Sequence, residues 1–245
     1  MNGPVDPHDF ALRLHQATPR TWVTPLLVGL SVAVWLLNVA SGISPMSPRA
    51  GELLAWGGNH LPATLHQPWR LLTATVLHGG AIHLAFNMWA LWETGRLAER
   101  FYGNLQLLLV YGVSGLAGSI ASLFFAARTG VSVGASGAIF GVVGCLLAAI
   151  LIKAHRLPTG LVRSMRASML LFVGYSLFMG FVVGFIDNAA HIGGLVAGFA
   201  MGALLAGKFD PRQFRRQGFV RASAAIALAA VVLGGAWKLL PVPVA

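Results

Sequence analysis

Residues 133–152 read VGASGAIFGVVGCLLAAILI, and this stretch decides the fold. Ser136 stands between small residues where an irregular loop gives way to an uninterrupted apolar run. A helix needs about 17 to 25 apolar residues to cross a bilayer. Comparable runs recur along the 245-residue chain, in which 56% of residues are hydrophobic and 10% charged. Ordinary soluble domains carry about 25% charged residues, so the sequence predicts an all-α, polytopic membrane protein.

The apolar runs divide the chain into a tail, a six-span unit and a final span. Residues 1–21 are polar, lack the apolar core of a signal peptide, and are expected to form a short cytoplasmic tail. The six-span unit covers residues 22–207 and includes a long outer loop at about 42–80, expected in the membrane interface. A basic cytoplasmic loop, 208–221, precedes the last span and the carboxyl-terminal tail, 222–245. The seven predicted spans are at about 22–41, 81–98, 104–126, 136–152, 168–186, 189–207 and 222–240.

The basic residues predict the orientation. The formal net charge is +10, but Lys and Arg fall in short loops between apolar runs, which argues against nucleic acid as a partner. With the amino terminus inside, cytoplasmic segments hold 13 of the 17 Lys and Arg, and the outer segments hold only Arg49, Arg70, Arg128 and Lys238. The positive-inside rule therefore predicts a cytoplasmic amino terminus and an outer carboxyl terminus. The single cysteine, Cys145, excludes an internal disulfide and is expected to be buried.

This orientation brings three polar residues to one depth. Spans two, four and six all enter from the outer face, and His83, Ser136 and His191 lie in their first turns. Polar groups within membrane spans are energetically costly, so each one is a candidate for a functional residue. The alternative is that they only link helices through hydrogen bonds. Their shared depth favours a functional site.

Two stripes of small residues predict which helices pack together. They recur every four positions: Gly137, Gly141 and Cys145 on span four, and Ala190, Gly194, Gly198 and Gly202 on span six. Such stripes let helix backbones approach closely. Since Ser136 precedes the first stripe by one residue and His191 follows Ala190, facing stripes would bring hydroxyl and imidazole together.

A serine beside a histidine predicts nucleophilic chemistry, because the imidazole can remove the hydroxyl proton. The nearby carboxylate, Asp187, is expected to be a surface turn residue or helix cap, so a Ser–His dyad is expected rather than a triad. The start of span four offers backbone N–H groups to an oxyanion. His83 and Asn87 lie four residues apart and add side-chain donors. The hypothesis is peptide-bond hydrolysis at the outer side of the membrane.

These motifs resemble those of the rhomboid intramembrane serine proteases. The matching elements are Gly134-Ala135-Ser136-Gly137, His83-x-x-x-Asn87, Ala190-His191-x-Gly193-Gly194, Trp69-Arg70 in the outer loop, and His78. The resemblance covers roughly residues 50–207, and the seventh span matches the form with one span after the six-span core. One departure is Phe140, where well-known bacterial members have a tyrosine packed on the catalytic histidine.

The resemblance implies a Ser136–His191 dyad and an oxyanion site formed by the Ser136 N–H, His83 and Asn87. It implies single-pass membrane proteins as substrates, a plasma or inner membrane location, and no metal or other cofactor. The sequence leaves the oligomeric state open. Gly134, Gly137, Gly141, Gly194, Gly198, Trp69, Arg70, His78 and Phe140 are expected to support the site.

Two other functions compete with proteolysis. One is a catalytically inactive rhomboid-like protein that binds membrane clients; such relatives lack the serine or the histidine, and both are present here. The other is a transporter or channel, which often shows inverted repeats and a midplane site; no repeat is seen, and the polar set lies toward one face. Glu93, Glu99 and Arg100 are expected to make interfacial or inter-helix pairs.

Overall fold

A computed structural model of the chain describes residues 6–126, 130–152, 154, 157–184, 186–205 and 211–241. Within these ranges the regular structure is helical, with one isolated β-bridge between Asn59 and Ser132, which confirms the all-α class. The helices are α1 (Pro7–Ala17), α2 (Val23–Ala40), α3 (Ala50–Ala55), α4 (Leu61–His66), α5 (Arg70–Thr73), α6 (Ala81–Tyr102), α7 (Asn104–Phe124), α8 (Ser136–Ile152), α9 (Thr159–Val182), α10 (Asn188–Leu205) and α11 (Pro211–Lys238).

Five of these helices are long and apolar enough to cross a membrane: α2, α7, α9, α10 and the Val220–Lys238 part of α11. Helix α8 is apolar but shorter, at 17 residues. Helix α6 is 22 residues long, yet its last turns carry Glu93, Arg96, Glu99 and Arg100. The chain is an integral membrane protein, and the count of seven spans stays a prediction.

Several predicted boundaries were wrong at the ends that carry charge. Helix α9 begins at Thr159 instead of about 168, so Arg163 and Arg166 lie in the helix rather than in a loop. Helix α11 begins at Pro211, so most of the predicted loop 208–221 is helical. Arg is a good helix former, and apolarity detects only the membrane-embedded part of such a helix. Arg128, Lys153, Arg156 and Lys208 lie outside the described residues.

The amino-terminal segment, expected to be a simple polar tail, contains a helix. Asp6 caps α1 by accepting a hydrogen bond from the N–H of His8 at 2.8 Å. Phe10 is buried and packs edge-on against Phe101, with ring centroids 5.9 Å apart. The helix is thereby fixed against the end of α6.

The long outer loop folds into the three short helices α3, α4 and α5. Arg70 is buried, and its guanidinium donates to the carbonyl of Leu54 at 2.5 Å and of Gly58 at 3.2 Å. The Oγ of Ser119 on α7 donates to the Leu71 carbonyl at 2.8 Å. A small apolar cluster joins this loop to α7 and to the end of α11, formed by Leu61, Leu71, Ile120, Leu123 and Leu240.

Helices α7, α8 and α10 form the centre of the bundle, and the two small-residue stripes face each other there. A Cβ placed on Gly194 would overlap the carbonyl oxygen of Gly137, and one placed on Gly198 would overlap that of Gly141. The backbones are therefore in direct contact, as the spacing predicted. Cys145 is buried in the same contact, as expected.

Glu99 joins helices at the opposite end of the bundle from Ser136. The residue is fully buried, at 0% exposure. Its carboxylate accepts hydrogen bonds from the N–H of Val23 at 2.7 Å, the N–H of Thr24 at 3.1 Å and the Thr24 hydroxyl at 2.7 Å. It therefore caps the start of α2, which makes it an inter-helix contact as the sequence indicated.

Candidate active site

The loop before Ser136 is held in a conformation that favours glycine. Gly134 has φ +131°, a region that residues with a Cβ rarely adopt. A Cβ at this position would lie 2.8 Å from Cε1 and 2.9 Å from Nε2 of His83. The Gly134 N–H donates to the Ala74 carbonyl at 2.8 Å, which ties this loop to the outer loop. The chain can thus bring Ser136 close to the His83 ring.

Ser136 is half-buried and begins α8. The first hydrogen bond of the helix runs from the Ile139 N–H to the Ala135 carbonyl, at 3.0 Å. The N–H groups of the three preceding residues therefore have no partner within the helix. They are N–H donors at the end of α8 that begins with Ser136, where an oxyanion formed on a bound carbonyl could be stabilised.

His191 is brought to the same end of α8 by the tight contact between α8 and α10. A Cβ on Gly137 would lie 3.2 Å from the carbonyl oxygen of Ala190, so the neighbours of Ser136 and His191 in sequence touch. The Phe140 ring stacks on the imidazole of His191, with centroids 4.2 Å apart and planes 5° apart. Phe140 lies one turn after Ser136 and on the same face of the helix. The missing hydroxyl at this position leaves the stacking intact.

No carboxylate orients His191 among the described residues. Its Nδ1 atom is buried and has no hydrogen-bond partner there. The two oxygens of Asp187 accept instead from the Ala190 N–H at 2.9 Å, from Ser132 Oγ at 2.7 Å and from Ser122 Oγ. Asp187 caps α10, as the sequence suggested, but it is half-buried and bridges elements rather than lying in a surface turn.

The hydrogen bond on one ring nitrogen of His83 sets its tautomer. Its Nδ1 accepts from the Gly79 N–H at 3.2 Å. In the neutral ring the proton is then on Nε2, which is the nitrogen close to Gly134. His83 thus presents an N–H donor at the loop that carries Ser136.

Asn87 is buried one turn further along α6, but its side chain is partly engaged. Its Nδ2 donates one hydrogen bond to the His83 carbonyl at 2.9 Å, within the same helix. An amide nitrogen has two hydrogens, so a second donor remains for the site.

His78 packs behind His83, with ring centroids 5.3 Å apart in an edge-on arrangement. The residue is 1% exposed, and its Nδ1 lies 3.2 Å from the Val76 carbonyl. Burial, with a smaller contribution from His83, lowers the pKa of His78 to about 3. A neutral His78 therefore supports the His83 ring without adding positive charge beside it.

Trp69 and Arg70 shape the outer loop. Besides its two carbonyl contacts, Arg70 donates to the Gln67 side chain at 2.8 Å and lies 4.8 Å from the Trp69 ring centroid. All of these partners belong to the outer loop itself. The pair therefore stabilises the outer loop and makes no contact with His83, Ser136 or His191 among those given by the hydrogen bonds and ring contacts of the described residues.

The sequence did not predict the hydrogen bonds that join Asp187 to Ser122 and Ser132 near the site. The position of Asp187 just before α10 did indicate a cap. Its two serine partners are 65 and 55 residues away in the chain, and no periodic pattern links them.

Comparison with known proteins shows close similarity to rhomboid proteins. Residues 65–208 match the family model of the Rhomboid domain. The chain is 40% identical over 196 residues to Rhomboid protease GluP of Bacillus subtilis (strain 168), covering 77% of this chain and 36% of that protein. It is 42% identical over 162 residues to RHOMBOID-like protein 4 of Arabidopsis thaliana, covering 65% and 40% respectively. It is 40% identical over 217 residues to RHOMBOID-like protein 7 of the same plant, covering 76% and 66%.

The chain therefore spans well under half the length of the first two relatives, at 36% and 40%. The matched residues 65–208 contain each polar residue of the site described above, from His78 to His191.

Proposed function

Because the chain belongs to the rhomboid family, we propose that it is an intramembrane serine endopeptidase acting through Ser136 and His191. The observation that carries this proposal is the stacking of Phe140 on His191 at 4.2 Å. It holds the imidazole against the helix that begins with Ser136, one turn from the hydroxyl. The close contact of Gly137 with Ala190 supports the same pairing.

In the proposed reaction the Ser136 oxygen attacks the carbonyl carbon of the scissile peptide bond while His191 accepts the hydroxyl proton. The C–N bond then breaks, and His191 gives this proton to the leaving amine. A water molecule, deprotonated by the same imidazole, hydrolyses the resulting ester and restores the serine hydroxyl.

The negative oxygen formed during each attack needs donors that are already in place. The backbone N–H of Ser136 and the Nε2–H of His83 supply two of them. Asn87 supplies a third from its remaining amide hydrogen. These donors come from α6 and α8, so the site depends on the relative position of the two helix starts.

The proposed substrates are single-pass membrane proteins, cut near the outer end of a transmembrane segment that unwinds at small, helix-destabilising residues.

The proposed location is the plasma or inner membrane, with the amino terminus in the cytoplasm and the carboxyl terminus outside. The distribution of Lys and Arg supports this orientation, and the contacts of His83, Ser136 and His191 at one end of the bundle agree with a site toward the outer face.

The test is cleavage of a single-pass substrate that is co-reconstituted with the full chain in liposomes. The substrate should carry several small residues near the outer end of its span. We expect cleavage by the unaltered protein and no detectable cleavage by Ser136→Ala. We expect His191→Ala to lower kcat by about 10³-fold or more. A fluorophosphonate probe should label the unaltered protein at Ser136.

Ser31→Ala is a matched control, because Ser31 is a buried serine on α2 that takes no part in the proposed site. This variant should cleave at the unaltered rate. Cleavage that survives Ser136→Ala would refute the proposal. Inactivity and absence of labelling in the unaltered protein, across several substrates, would instead support the inactive client-binding alternative.

A further inference from the structure

One half-buried carboxylate joins the three elements that surround the proposed dyad. Asp187 Oδ1 accepts from the Ala190 N–H at 2.9 Å, at the start of α10. Asp187 Oδ2 accepts from Ser132 Oγ at 2.7 Å, in the loop before α8, and from Ser122 Oγ on α7. The two proposed reacting residues are close to these contacts in sequence.

Ser132 lies four residues before Ser136, and Ala190 directly precedes His191. If Ser132 and Ala190, which are both bonded to Asp187, moved apart, the Ser136 hydroxyl and the His191 imidazole would therefore move apart as well. A misplacement of about 1 Å in a reacting group can cost about 10²-fold in rate. We propose that Asp187 is a positioning residue, which sets the separation of Ser136 and His191 without touching either side chain. This inference rests on the proposed proteolytic function.

Capping of α10 alone does not account for the arrangement. A helix cap requires a side-chain oxygen that accepts from a backbone N–H in the first turn, and Oδ1 fulfils that role through Ala190. The second oxygen accepts from two serines on other elements, which capping does not need. Asp187 also differs from the acid of a triad, because His191 Nδ1 is left without a partner in the described residues.

The backbone contacts of the loop around Ser132 allow the positioning role of Asp187 to be tested without disrupting the fold. The backbone of Ser132 exchanges hydrogen bonds with Asn59, at 2.8 and 3.0 Å. The Gly134 N–H is bonded to Ala74. Substituting Ser132 by alanine therefore keeps the loop attached to the outer loop and removes only its side-chain link to Asp187.

The experiment measures kcat and KM in liposomes for Asp187→Ala, Ser132→Ala and the double variant, together with the rate of fluorophosphonate labelling of Ser136 and the thermal midpoint. We expect Asp187→Ala to lower kcat by about 10- to 100-fold, with KM changed by no more than about twofold. Ser132→Ala should lower kcat by a smaller factor with little change in midpoint. The double variant should be no slower than Asp187→Ala, because both changes break one interaction.

Asn188→Ala is the matched control, since Asn188 adjoins Asp187 but donates to the Leu177 carbonyl of α9 at 3.0 Å. It should leave kcat within about twofold. The inference is overturned if Asp187→Ala keeps the unaltered kcat, if Asn188→Ala loses as much, or if the two single effects simply multiply. These outcomes leave the proposed function standing, whereas an unaltered protein that neither cleaves nor labels would overturn both.

Discussion

The contact between the two glycine stripes predicts a large cost for adding one methyl group at Gly198. A Cβ built there overlaps the carbonyl oxygen, the carbonyl carbon and the Cα of Gly141. All three are backbone atoms, so no side-chain rotation can relieve the overlap and the helices must separate. Overpacking of a close-packed core costs about 1–3 kcal/mol, and the rigid partner places Gly198→Ala toward the upper end of this range.

Gly174→Ala provides the matched comparison, because a Cβ at Gly174 on α9 has no atom within 4 Å. Replacing glycine by alanine at an unobstructed helix position stabilises by about 0.5–1 kcal/mol. For a protein of about this size, a loss of about 3 kcal/mol lowers the thermal midpoint by about 6–12 °C. Thermal unfolding in detergent should show this decrease for Gly198→Ala and a small increase for Gly174→Ala. Equal midpoints for the two variants would refute the stripe-to-stripe contact.

Two further predictions concern buried ionisable groups. Glu99→Ala should lower the unfolding free energy by about 2–4 kcal/mol, because the Val23 and Thr24 N–H groups lose their acceptor. The control is Glu93→Ala, which alters an exposed carboxylate on the same helix and should show no comparable loss in denaturant unfolding. Equal losses for the two variants would contradict the capping role of Glu99. The pKa of His78 is about 3 when folded and 6.5 without perturbation, so the unfolded state binds more protons between these values. The unfolding free energy should therefore fall as pH is lowered through this window, by about 1.4 kcal/mol per pH unit from this residue. His78→Phe should reduce the slope of unfolding free energy against pH. An unchanged slope in this variant would contradict the burial of His78 as a neutral ring.

The parts of the fold that depend on local repetition could be predicted from the sequence. The stripe spacing identified the partners of Gly194 and Gly198 because every fourth residue shares one helix face. Helix α8 was placed at residues 136–152, as observed. The start of α9 was missed because Arg163 and Arg166 belong to the helix but not to its apolar part.

The parts that depend on distant pairing could not be predicted. Glu99 was expected to pair with another helix, but its partners Val23 and Thr24 are 76 and 75 residues away. The three helices of the outer loop are short, and four to six residues are too few for a periodic pattern to be visible. The link between Asp187 and Ser132 requires the loop and α10 to be packed already, so it follows from the fold.

Four of the acidic residues share one structural role, and that role bears on the proposed chemistry. The chain has seven Asp and Glu, and among those that the structure describes, four accept hydrogen bonds from backbone N–H groups where a helix starts: Asp6, Glu52, Glu99 and Asp187. Negative charge is favoured there by the unsatisfied N–H groups and the helix dipole. Oδ1 of Asp187 accepts from the Ala190 N–H and Oδ2 accepts from two serine hydroxyls, so His191 is held by the Phe140 ring rather than by a carboxylate. The capping of α10 and the proposed two-residue catalytic set are thus consequences of the same arrangement.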